Sequence, residues 1–151
     1  MSINSIRTLI EDAAITHPEK KAILCNENSI SYKELLRKVD QVAYYLNELN
    51  LPKESRIGVY SNKKIEQVIA ILAILSTPYI LVPLTKLLKP EQVEYIIDDC
   101  DIKCIITDKV KIESIEEINF SGHIISYETE SSDIASFERF LNTIINLIIV
   151  V

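Results

Sequence analysis

Glycine is almost missing from this chain. Gly58 and Gly122 are the only two in 151 residues, where an average composition supplies about 7%. Loops that cradle nucleotide phosphates need glycine, because backbone amides must approach the anion closely and at positive φ. Neither a G-x-G-x-x-G nor a Walker-type loop can be drawn in this sequence. Long apolar runs are missing too, since no stretch approaches the ~20 residues that a membrane helix needs. Met1 to Ile10 lacks the basic-then-apolar layout of a signal peptide, so a cytoplasmic location is expected.

Positive charge is in short supply. Sixteen Lys and Arg face twenty-two Asp and Glu, a net charge of −6. The lysines are scattered, apart from Lys63-Lys64 and the Lys86, Lys89 pair. That pattern lacks the electrostatic footprint of a nucleic-acid surface, so no nucleic-acid partner is expected. The three cysteines, Cys25, Cys100 and Cys104, fit a reducing compartment. Cys100-x-x-x-Cys104 supplies two thiols, but a closed zinc site takes four ligands. His17 and His123, the only histidines, have no motif spacing to that pair. Buried or idle thiols are the expectation, and no metal site is assigned.

What is present is a regular alternation of helix and strand signals. Ile6, Leu9, Ile10 and Ala13 fall at helical spacing between Ser5 and Ile15, with Pro18 past the end. Lys21 to Cys25 and Ser29-Ile30 read as a hairpin across the polar turn Asn26-Glu27-Asn28. Ser31-Tyr32-Lys33-Glu34 is a capping box, in which the serine hydroxyl accepts from the Glu34 amide while Glu34 reaches back to the amide of Ser31. Leu35, Val39, Val42, Leu46 and Leu49 then line one face of a helix running to Asn50, and Pro52 closes it.

Arg56 to Tyr60 is a β-rich run. Asn62 is placed to cap a third helix, Lys63 to Leu75, whose second half is apolar nearly all round and so belongs in a buried position. Tyr79 to Leu84 is a strand, with Pro83 expected at a strand end. Pro90 opens a fourth helix at its first turn, with Val93, Ile96, Ile97 and Cys100 inward. Lys103 to Thr107 is a strand that Asp108 closes. Ile112 to Ile118 is a short amphipathic piece and His123 to Tyr127 a strand. Glu128 to Asp133 reads as a polar linker, Ile134 to Leu141 as one or two helical turns, and Asn142 to Val151 as an apolar strand. From Arg56 onward the strands are apolar through their length. The expected class is therefore α/β: βαβ units forming a mostly parallel sheet with helices on both faces.

Several of these residues also match a known pattern. Ile30-Ser31-Tyr32-Lys33-Glu34-Leu35 fits "(L/I)-(T/S)-Y-x-E-L" at each defined position, and Ser55-Arg56-Ile57-Gly58 is similar to a "D-R-V-A" strand. Asn62 then matches a turn asparagine before an apolar helix. The stretch from Leu75 to Lys86 resembles "L-K-A-G-x-x-Y-V-P-L-D-P" at Leu75, Val82, Pro83 and Leu84, but has Ser76, Pro78, Leu81 and Thr85 in place of its Lys, Gly, Tyr and Asp. The run from Lys89 to Asp108 is similar to a helix followed by an "L-L-T-D" strand. In order and spacing these elements resemble the opening of the AMP-forming adenylating enzymes: acyl-CoA synthetases, luciferases and the adenylation domains of peptide synthetases. The resemblance covers about Ile6 to Asp108, and more loosely reaches Tyr127.

The resemblance implies ATP, Mg²⁺ and a thiol from coenzyme A or a carrier protein as the cofactors of a ligase that makes an acyl-adenylate and then a thioester. It also implies that residues 1–128 are part of a larger N-terminal domain. Residues 129–151 are then a linker and an apolar tail, a strand severed before the family's phosphate loop. None of the family's catalytic, cofactor-binding or metal-binding residues has a counterpart in this sequence, so none is assigned. Ser31, Glu34, Tyr32, Asn62 and the Asp98-Asp99-x-Asp101 cluster take structural roles, as caps, packing residues and a solvated helix end. The chain is expected to be inactive alone. Its expected partners are the remainder of the ligase as a separate chain, or a second copy through an exposed apolar edge. A non-catalytic interaction module that keeps only the scaffold, or one half of a split ligase, is the alternative.

Overall fold

The computed structural model describes residues 5–127, 135 and 136. These fall into two compact units. The first takes residues up to Asn50 together with Lys63–Pro78, and the second takes Leu51–Asn62 with everything from Tyr79 onward.

In the first unit, α1 (Ile6–Thr16) starts at Ser5, whose hydroxyl accepts from the Thr8 amide at 3.2 Å. β1 (Lys21–Cys25) and β2 (Asn28–Ser31) form an antiparallel hairpin, with Asn26 in the left-handed region at φ 54°. α2 (Tyr32–Glu48) follows directly, because Ser31 ends one element and caps the next. Four of the five expected residues, Leu35, Val39, Val42 and Leu46, are buried with Ala43 beside them, whereas the helix ends at Glu48 and Leu49, its C-cap, is only partly buried. The helix stops where Asn50 turns left-handed at φ 50°, a conformation that asparagine tolerates. α3 (Ile65–Ile74) buries Ile65, Ile69, Ala70, Ala73 and Ile74 and packs against α2 and β1.

The second unit is a sheet with two covering helices. β3 (Arg56–Tyr60), β4 (Ile80–Leu84), β5 (Ile102–Thr107), β6 (His123–Ser126) and β7 (Ala135–Ser136) lie in the order β4-β3-β5-β6-β7, and each neighbouring pair is parallel. α4 (Pro90–Cys100) and α5 (Lys109–Glu116) supply Val93, Ile97 and Ile115 to a core shared with Tyr60, Leu84, Ile102 and Ile105. The alternate residues Ile57, Val59, Cys104 and Ile106 are buried as well, which is why these strands are apolar along their whole length. At Gly58 an added Cβ would meet the Ile102 and Ile105 side chains at 3.4–3.5 Å, an ordinary packing distance, so this glycine faces core isoleucines rather than a ligand.

Pro83 sits on β4, the outer strand at one end of the order. The Ile80 amide donates to the Ser55 carbonyl at 3.0 Å, so residues 80, 82 and 84 turn their amides toward β3. Residue 83 turns outward, where the imino acid removes a donor from the open edge. The edge is thereby blunted against pairing with another strand.

Three expectations change. Asn62 does not cap the third helix: that helix begins two residues later, Lys64 holds the cap position without a side-chain bond, and Asn62 is engaged elsewhere. Ala135 and Ser136 are not helical but pair as a strand with Ile125 and Ser126. The free side of β6 offers backbone partners that an isolated helical turn cannot match. The linker placed at 129–151 therefore contains a strand. The apolar run Asn142–Val151 lies outside the described residues, as does the polar stretch Glu128–Asp133.

Candidate functional site

The order of the strands marks one place above others. The chain passes from β3 to β4 on one side, then returns across β3 to lay down β5 on the other. In open parallel sheets ligands bind outside the carboxyl ends of the strands, at the point where the order reverses. Here that point lies between the ends of β3 and β5.

Polar residues gather there. Ser61 and Asn62 follow β3, Thr107 and Asp108 end β5, and Ser126 and Tyr127 end β6. Ser61, Thr107, Asp108 and Ser126 are buried. The Thr107 hydroxyl donates to the Tyr60 carbonyl at 2.7 Å, and the Tyr127 amide donates to the Thr107 carbonyl at 3.1 Å. Ser61 Oγ lies 3.5 Å from the Tyr127 hydroxyl. Asp108 is the hub. Its Oδ2 accepts from the Asn62 backbone amide at 2.7 Å and from Asn62 Nδ2 at 2.9 Å. Its Oδ1 accepts from the Lys111 amide at 3.0 Å and so caps α5.

One carboxylate thus joins the turn after β3, the end of β5 and the start of α5. Both of its oxygens are committed. Among the described residues no buried side-chain nitrogen or oxygen lacks a partner. At the switch point the buried polar side chains of the described residues are all bonded, and Asp108 acts there as a clamp between the strand ends.

Beside the clamp, the Tyr60 hydroxyl donates to the Leu88 carbonyl at 2.9 Å, and Lys111 Nζ donates to the Lys86 carbonyl at 2.8 Å. The same ammonium lies 4.9 Å from the centre of the Tyr60 ring, a cation–π distance. These bonds hold the turn between β4 and α4.

The other residues singled out by sequence take separate places. Ser31 and Glu34 form the expected capping box: the Glu34 amide donates to Ser31 Oγ at 3.3 Å and the Ser31 amide to Glu34 Oε2 at 3.1 Å. That amide, with the Ser31 hydroxyl and nearby Lys38 and Arg37, holds the Glu34 carboxyl below its usual range. A carboxyl depressed in the folded state adds stability above its unfolded value, ordinarily 4.5, and loses it as pH falls through the folded value. Thermal unfolding of Glu34→Gln, which keeps an acceptor but cannot titrate, tests this. The difference in midpoint from the parent chain is expected to stay constant above about pH 5 and to shrink progressively below it.

Asp98, Asp99 and Asp101 lie exposed at the end of α4, and Lys103 Nζ contacts Asp101 Oδ1 at 2.5 Å. Among the described residues no group of three or more His, Cys, Asp or Glu is arranged to hold a metal ion. The cysteines are unpaired by disulfides, and burial pushes the Cys104 thiol up to about 12, so it stays protonated and unreactive near neutrality. Arg7 bonds Asp40 and lies 2.9 Å from Glu11. The Asp40 bond above all raises its pKa.

Sequence reasoning missed the Asn62–Asp108 pair. The available signal was positional: each residue closely follows an apolar strand, and parallel neighbours bring such positions together.

Comparison with known proteins follows the same outline. A family model described as "AMP-binding enzyme" matches residues 10–140. Tyrocidine synthase 1 of Brevibacillus parabrevis is 33% identical over 129 residues, covering 85% of this chain and 12% of that protein. Gramicidin S synthase 1 of Brevibacillus brevis is 29% identical, over 84% of this chain and 12% of its own length. The chain therefore spans about an eighth of each of these relatives. Among solved structures, an anthranilate CoA ligase in complex with anthranoyl-AMP superposes with a TM-score of 0.82 at 21% identity, over 91% of this chain and 27% of the ligase.

Proposed function

The chain belongs to the AMP-binding enzyme family, and on that premise we propose that it forms the opening α/β layer of an ATP-dependent, acid-activating ligase, contributing framework rather than chemistry. In the whole enzyme a substrate carboxylate attacks the α-phosphate of ATP, the bond to pyrophosphate breaks, and an acyl-adenylate forms. A thiol of coenzyme A or a carrier protein then attacks the acyl carbon and AMP leaves. The groups that stabilise the charge developing in these steps are placed outside this chain.

The observation that carries this reading is the internal hydrogen bonding of the polar residues at the carboxyl edge of the sheet. ATP and Mg²⁺ need amides, hydroxyls or carboxylates left available. The residues at the switch point do not fit them, because Asp108 spends both oxygens on Asn62 and Lys111. No step through the nucleotide is derived from the residues present.

The test is carboxylate-dependent ATP–pyrophosphate exchange, run with panels of amino, aryl and fatty acids. Residues 1–151 alone are expected to give none. Joined to, or mixed with, the remainder of a ligase of this family, they are expected to restore it. Exchange by the chain alone would overturn the proposal, and so would a remainder that is fully active without it.

A further inference from the structure

We draw no further inference here: the strongest candidate, the apolar surface patch on the outer face of α1, where Ile6 and Leu9 stay exposed while Ile10 alone of the helix is buried, carries nothing because nothing in the structure shows what covers it.

Discussion

Replacing Val39 with aspartate is expected to unfold the chain or to lower its stability by several kcal/mol. Val39 is fully buried on the inner face of α2, between Leu35 and Val42. Putting a carboxylate there removes apolar contact area worth roughly 1.5–3 kcal/mol. It also forces either an unpaired charge or a protonated acid into an apolar site, at a further cost of order 1–3 kcal/mol. Folded domains hold only about 5–15 kcal/mol in total, so one substitution removes a large fraction. Thermal and urea unfolding followed by circular dichroism measure it. Val39→Ala serves as control, at about 1–3 kcal/mol, since it leaves a cavity but no buried charge. An aspartate variant with an unchanged midpoint would mean that α2 does not bury this face.

The second large effect is expected at Asp108. Replacing it with alanine leaves the Asn62 amide and the Lys111 amide without their acceptor, in a place where the carboxylate is fully buried. One unmade buried bond costs about 1–3 kcal/mol and a lost helix cap about 1 kcal/mol. Together the loss is of order 3 kcal/mol, a fall of roughly 10 °C in midpoint for a domain of this size. Asp108→Asn keeps one acceptor oxygen and is expected to recover part of the loss. Asn62→Ala removes only the side-chain donor and is expected to cost less than either. If all three variants matched the parent chain, the clamp would not tie the two strand ends together.

These two residues also show where the fold is readable in the sequence and where it is not. Val39 is legible because a helical face is a local pattern: five apolar residues at steps of three and four, started by a capping box, leave one way to bury them. The strands are legible for a similar reason, since a parallel strand covered on both faces must be apolar at every position. Asp108 is legible only in part. Its place after an apolar strand and before an amphipathic turn marks it as a cap, and it is one. Its second partner, Asn62, lies 46 residues away, and nothing local announces that pairing. It follows from strand order, which places β5 beside β3, and strand order is a non-local property. For the same reason the local pattern around Asn62 points to the nearest helix, which it does not cap. The short β7 resembles helical turns in sequence because two residues carry too little periodicity to decide, and only the open side of β6 fixes their conformation.

The candidate site divides in the same way. Gly58 and Gly122 lie too far apart to form either glycine-rich phosphate loop, and that exclusion needs nothing but the sequence. The polar ring of Ser61, Thr107, Ser126 and Tyr127 cannot be assembled from the sequence, because its members come from the ends of three separate strands. Once assembled, it proves to be satisfied internally.

The most direct measurement is equilibrium dialysis of Mg-ATP against residues 1–151, at nucleotide concentrations up to the millimolar range usual for this substrate class. A framework without nucleotide-binding groups predicts no saturable uptake, and no change in the thermal midpoint on adding nucleotide. One ATP bound per chain, with a midpoint that climbs with ATP concentration, would contradict it and place a nucleotide site within this chain.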